Sequence, residues 1–131
     1  MSGDTDDTVY VVAFSEDGRF LMVYNPKRKG WEMPGGHVRE GEGREDAVIR
    51  ECLEESGYPV DIAAMRDLGY CRVFAAMVCG PRREGCEMRS ELFDDLPSEL
   101  AFSRDEYLMV VPWAEDALVE RGYLTRKRTP I

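Results

Sequence analysis

Within the segment Gly43–Ser56, three carboxylates (Glu51, Glu54 and Glu55) recur at the spacing of one helical turn. At 100° per residue they fall within an arc of about 100°, and Val48, Ile49, Cys52 and Leu53 fall within an arc of about 140° on the other side. One face is suited to a core. The other gathers three acids, with Glu51 and Glu55 about 6 Å apart along the axis. Like charges at this spacing oppose the helix by about 0.2–0.5 kcal/mol per pair. A hard divalent cation, which prefers oxygen ligands, would offset that repulsion. Arg50 stands four residues before Glu54 and can pair with it, keeping that carboxylate ionised. An ordinary solvated acidic face has the same composition, so the helix alone does not decide for chemistry.

The residues leading into the helix do decide. Gly36 is followed at fixed intervals by Glu42, Arg50-Glu51, Glu54-Glu55 and Gly57, with Cys52 and Tyr58 at apolar positions. This pattern resembles the Nudix box, G-x5-E-x7-R-E-U-x-E-E-x-G-U, in which U is a bulky apolar residue. All seven fixed letters match, and at equal residue frequencies such a match arises by chance about once in a billion starts. Cys52 and Tyr58 are mild departures, both compatible with packing. Trp31-Glu32-Met33-Pro34-Gly35-Gly36 also looks like the family's usual entry to the box.

The resemblance implies an enzyme that cleaves a diphosphate linkage, with Mg2+ (or Mn2+ as substitute) held by Glu51, Glu54, Glu55 and a backbone carbonyl at Gly36 or Gly35. It implies that Glu42 and Arg50 orient the acids. Glu54, partnered by Arg50, is the first choice of general base, and Glu51 and Arg50 complete the catalytic group. A base outside the box is the alternative, with Glu87, Glu91, Glu99, Asp105 and Glu106 as candidates. Gly35 and Gly36 have no side chain to keep a phosphate away from the backbone.

Lys27 and Arg28, in the basic run before the box, are candidate contacts for distal phosphates, although a solvated turn has the same composition. Tyr10, Trp31, Phe74 and Tyr107 are candidates to stack on a base, but strand aromatics are also core residues. His37 is close enough to the glycines to reach a phosphate, but an isolated histidine reads first as a neutral bystander. Arg126-Lys127-Arg128 reads as a solvated tail.

Tyr24–Gly36 looks closest to the nucleoside triphosphate pyrophosphatase branch. The expected substrate is accordingly a nucleoside triphosphate, oxidised or not, giving nucleoside monophosphate and pyrophosphate. The alternatives are ADP-ribose or another nucleotide sugar, a capped RNA 5′ end, or a catalytically silent domain that senses nucleotide.

The elements that must position these residues can also be read from the pattern. Thr8–Ser15 and Arg19–Tyr24 flank a Glu-Asp-Gly turn and read as a hairpin. Trp31–Glu40 reads as extended and Gly43–Ser56 as a helix with Gly57 as its C-terminal cap. Val60–Met65, Leu68–Cys79 and Glu87–Asp94 read as strands, Leu96–Asp105 as a loop, and Trp113–Arg121 as a closing helix. With 131 residues, the chain is expected to form one domain over residues 8–131 behind a disordered leader, Met1–Asp7. The family resemblance implies an α/β/α sandwich with a mixed β-sheet between helices.

A formal net charge of −9 argues against general nucleic-acid binding. It leaves room for a polyanionic substrate met through cations. The apolar runs are too short to span a membrane and no secretory signal is apparent, so a cytoplasmic protein is expected. The four cysteines, Cys52, Cys71, Cys79 and Cys86, form no C-x-x-C pair and are expected reduced and mostly in the core.

Overall fold

The central strand shows how the sequence divides its core. In the computed structural model, which describes residues 3–125, β1 (Asp4–Phe14) sends Val9, Val11 and Ala13 to one face of the sheet and Val12 and Phe14 to the other. This two-residue period gives two separate apolar clusters. On one face Val9, Val11, Leu21, Val38 and Phe74 pack with Ala47, Val48 and Cys52 of α1 (Arg44–Ser56). On the other, Val12, Phe14, Met22, Val73 and Ala75 pack with Tyr107, Val110, Ala114 and Leu118 of α2 (Arg104–Glu120). The sheet is thus covered by a helix on each side. This is the expected α/β/α sandwich.

The seven strands are completed by β2 (Phe20–Asn25), β3 (Gly30–Glu32), β4 (Gly35–Arg39), β5 (Val60–Asp67), β6 (Arg72–Val78) and β7 (Arg89–Phe93). The main path runs β3-β2-β1-β6-β5, with β4 paired to β1 and β7 to β2. Only β1 and β6 run parallel, in a register that sets Tyr10 opposite Val73 and Phe14 opposite Met77. The mixed sheet therefore holds β4, the strand that carries Gly35 and Gly36, directly against Val9 and Tyr10.

Three expectations change. Asp4–Asp7 belong to β1 instead of a leader: Asp4 pairs with Arg39, Thr5 donates to the Val38 carbonyl at 2.7 Å, and Asp7 accepts from Arg44 at 2.7 Å and Arg72 at 3.3 Å. Of these acids, Asp7 is paired with Arg44 of α1 and Arg72, both distant in sequence. Strand β6 starts at Arg72, because Leu68–Tyr70 turn about Gly69, whose N–H donates to Asp67 at 2.8 Å.

The closing helix begins at Arg104, nine residues before the predicted start, and passes through Pro112. Ser103 caps it by accepting from the Asp105 N–H at 3.3 Å. The carbonyl to which Pro112 cannot donate belongs to Leu108, a residue on the exposed side of the helix. All four cysteines are free, with Cys52 and Cys71 buried, Cys79 exposed and Cys86 between. Among the described residues no helix is long and apolar enough to cross a membrane. Met1, Ser2 and the Arg126-Lys127-Arg128 run lie outside the described residues.

Candidate active site

The end of α1 fixes the acidic face. Gly57 adopts φ 82°, the left-handed conformation that ends the helix, and its N–H returns to the Leu53 carbonyl at 2.9 Å. A Cβ here would also stand 2.4 Å from the Arg83 carbonyl oxygen. The last carbonyls of α1 are satisfied by the following loop, where Glu87 N–H donates to Glu54 O at 2.8 Å and Met88 N–H to Glu55 O at 3.0 Å. These two bonds bring Glu87, from far along the chain, beside the three helix acids.

The other wall of the site is β4. Gly36 faces Glu51 so closely that a Cβ would lie 2.6 Å from the Glu51 Cδ and 2.7 Å from its Oε2. The Gly35 N–H donates to Glu55 Oε1 at 3.0 Å. Arg50 ties the assembly together. Its Nε and Nη2 grip Glu42 at 2.8 and 2.9 Å, its Nη1 donates to Glu51 at 2.7 Å and reaches Glu54 at 3.4 Å, and Nη2 reaches the His37 carbonyl at 3.3 Å. The expected Arg50–Glu54 pair is thus the longest of its carboxylate contacts, and Glu42 and Glu51 are the tighter partners.

Glu55 departs from the predicted face. It is 8% exposed, whereas Glu54 keeps an open side chain. On the helical wheel Glu55 stands about 20° from Val48, at the seam between acidic and apolar arcs, and the packing of α1 under β4 covers that seam. Burial pushes its carboxyl up to about 8, against the lowering effect of the Gly35 N–H. Burial also raises Glu51, with Arg50 opposing. Hydrogen bonding from Arg50 holds Glu42 down to about 2.

This donor set suits a hard divalent cation: oxygen ligands, a buried carboxyl that lacks a cation of its own, and a strand whose missing side chain leaves its backbone against Glu51. Among the described residues, no three His, Cys, Asp or Glu side chains yet stand together at coordinating distance. Arg50 stands against Glu42, Glu51 and Glu54, and Glu55 accepts from the Gly35 N–H.

On its other side, Gly35–Gly36 floors a cavity of about 340 Å3. Of the predicted substrate residues, Arg28 lines it and Lys27 does not. Arg28 pairs with Glu32 at 3.1 Å and lies over the Phe102 ring at 5.0 Å. Of the four predicted stacking aromatics, Tyr10 and Tyr107 reach the cavity, while Trp31 and Phe74 are core residues. His37 also lines it. Sequence reasoning did not single out Tyr70 and Phe102, which line the cavity with 64% and 50% of their surface exposed. Each sits in an irregular segment where no period marks it, and the only sequence signal is an aromatic flanked by turn residues.

A family model for the NUDIX domain matches residues 4–115. The chain belongs to the NUDIX domain family. Over 55 residues it is 38% identical to a putative 8-oxo-dGTP diphosphatase of Bacillus subtilis, an alignment covering 42% of this chain and 37% of that protein. Over 51 residues it is 39% identical to a MutT-like protein of Streptomyces ambofaciens, covering 39% and 33%. The aligned stretches thus span well under half the length of these curated relatives.

Among solved structures, the Bacillus subtilis pyrophosphohydrolase BsRppH superposes with a TM-score of 0.67 at 23% identity, covering 94% of this chain and 87% of that one. An ADP-ribose pyrophosphatase of Streptococcus suis gives 0.64 at 22%, covering 85% and 92%. At these identities the structures establish a shared NUDIX fold. The acids of the box and the glycines of β4 therefore occupy, in this chain, the strand–loop–helix setting of that fold.

Proposed function

We propose that this NUDIX protein is a Mg2+-dependent pyrophosphohydrolase that converts a nucleoside triphosphate to a nucleoside monophosphate and pyrophosphate. The observation that carries the reading is the double use of Gly35–Gly36. One side of this strand meets Glu51 and Glu55, and the other floors an aromatic cavity large enough for a base. A phosphate chain leaving that cavity crosses the glycines toward the acids.

Glu51, Glu54, Glu55 and the Gly36 carbonyl would hold magnesium, which when bound neutralises charge on phosphoryl oxygens. Arg50 keeps Glu51 in place while itself fixed by Glu42. Glu54, the most open of the three acids, is positioned to take a proton from water. Of the five candidate bases outside the box, Glu87 is supported, because its charge acts on both Glu51 and Glu55. Glu106 lies in the cavity and accepts from Tyr10. Gly35, Gly36 and Arg28 remain the proposed substrate contacts, with Lys27 reserved for phosphates extending beyond the cavity mouth.

The name of one curated relative, a putative 8-oxo-dGTP diphosphatase, agrees with a triphosphate substrate. The test is a panel of nucleoside triphosphates, ADP-ribose and nucleotide sugars with Mg2+, Mn2+ or chelator, with products identified by chromatography. Triphosphates should yield monophosphate and pyrophosphate, chelator should stop the reaction, and Glu54→Gln should abolish it at unchanged melting temperature. Ribose phosphate released from ADP-ribose, with triphosphates untouched, would overturn the substrate. No turnover of any diphosphate would replace the enzyme with a nucleotide sensor.

A further inference from the structure

Opposite the metal-binding wall, one carboxylate of the cavity is held in a way the hydrolytic chemistry does not require. The Tyr10 hydroxyl donates to Glu106 Oε2 at 3.0 Å, and the Tyr70 hydroxyl donates to Glu106 Oε1. Tyr10 comes from β1, Glu106 from the first turn of α2, and Tyr70 from the turn before β6. Thr8 anchors that turn by donating to the Tyr70 carbonyl at 3.1 Å. All four residues line the cavity. Both phenols keep their protons near neutral pH, because burial raises Tyr10 and the bond to Glu106 pushes Tyr70 up to about 12.

We propose that Glu106, clamped by Tyr10 and Tyr70, reads the edge of the nucleobase and selects guanine over adenine. The inference rests on the reading of this cavity as a base site for a nucleoside triphosphatase. An ionised carboxylate only accepts hydrogen bonds and has about two lone-pair sites on each oxygen. Each phenol uses one, so each oxygen of this cavity-lining carboxylate keeps capacity for a further donor.

Guanine presents N1–H and N2–H as adjacent donors and fills both. Hypoxanthine, without the amino group, fills one. Adenine and cytosine set an amino donor beside a ring-nitrogen acceptor, so the second oxygen faces a lone pair. Uracil and thymine place one N–H between two carbonyls. A carboxylate left facing an acceptor loses a charge-assisted bond and gains repulsion, and sites built on such bonds reject the mismatched analogue strongly. The aromatic walls supplied by Tyr70 and Phe102 stack on any base, so discrimination falls to Glu106.

Binding of GMP, IMP, AMP and UMP without metal, followed by ligand-observed NMR and calorimetry, reads the cavity independently of hydrolysis. The wild type should bind GMP about tenfold or more tightly than AMP, with IMP between. Glu106→Gln, nearly isosteric, should lower the GMP:AMP ratio at least about fivefold. Tyr70→Phe should lower it less. With Mg2+, kcat/KM for GTP over ATP should follow the same order, carried by KM.

Equal affinity for GMP and AMP, or a ratio unmoved in Glu106→Gln at matched melting temperature, overturns the proposal. Base preference without turnover of any triphosphate leaves this inference standing and removes the triphosphatase reading. Turnover without base preference does the reverse. Neither binding nor turnover removes both.

Discussion

The two sides of the Gly35–Gly36 strand are assembled from very different stretches of chain. On the α1 side every acid lies within Gly36–Tyr58 except Glu87, which is delivered by two backbone hydrogen bonds to the helix end. On the α2 side the cavity draws on Thr8 and Tyr10, on Arg28, Glu32, Met33 and Gly35–His37, on Tyr70 and Cys71, and on Phe102, Glu106 and Tyr107. The first side is set by helical periodicity, which fixes relative positions without help from the rest of the fold. The second exists only after the sheet has closed and the turns before β6 and α2 have been placed. On the proposed reading, the demanding geometry is built on one rigid element and its cross-links, and recognition on residues gathered from strands, turns and α2.

If this division is correct, damage to the first side should act on rate and damage to the second on affinity. Among variants that keep every acid of the box, the largest effect is expected for Gly36→Ala. Its Cβ would meet the Glu51 carboxylate at 2.6–2.9 Å and push it from its place. Misplacement of about 1 Å costs about a hundredfold, so kcat should fall by about that factor or more, with monophosphate binding in the cavity retained.

Arg50→Lys should cost about ten- to a hundredfold in kcat, as for other groups that orient metal ligands. A lysine is a point charge that cannot grip Glu42 with two nitrogens and still hold Glu51. Metal affinity, measured by Mn2+ titration, should weaken in step. A kcat unchanged in both variants would dissolve the distinction between the two walls. Next in size, Phe102→Ala should raise KM about tenfold, the cost of one lost base–aromatic stack, with kcat within about twofold. A variant that lost kcat and kept KM would move Phe102 to the other side of the comparison.

How much of this was legible follows from the same division. The box, its glycines, the helix limits and the acids are short-range features, and the structure places them on the predicted elements. What was misread needed the third dimension. Glu55 sits on the acidic arc in projection but at its seam, so only the packing of β4 reveals that it is buried. Arg50 does reach Glu54, four residues on, at 3.4 Å, but its closer partners Glu42 and Glu51 were not read as its ion pairs, and Glu42 comes from the loop before the helix and already accepts from the Arg39 N–H at 3.1 Å. Asp4–Asp7 looked like a leader because the arginines that neutralise Asp7 are distant in sequence. The closing helix was expected from Trp113, whereas it runs from Arg104 through Pro112, a residue that ordinarily interrupts a helix.

The smallest effect tests whether the α1 wall is held together as tightly as its distances imply. Arg50, with help from the Arg39 N–H and the Arg39 charge, lowers Glu42 from the ordinary 4.5 to about 2. A carboxyl whose pKa is depressed by folding stabilises the fold above its unfolded value, and that stabilisation is lost as pH falls through the folded one. The melting temperature of the wild type should therefore exceed that of Glu42→Gln by a few degrees near neutral pH. The gap should narrow between pH 4.5 and about 2, and high salt should shrink it only partly because both partners are mostly shielded from solvent. A gap that stayed constant across the acid range would mean that Glu42 contributes by packing alone. Arg50 would then be positioned by Glu51 and the His37 carbonyl, and Glu42→Gln should leave kcat nearly unchanged.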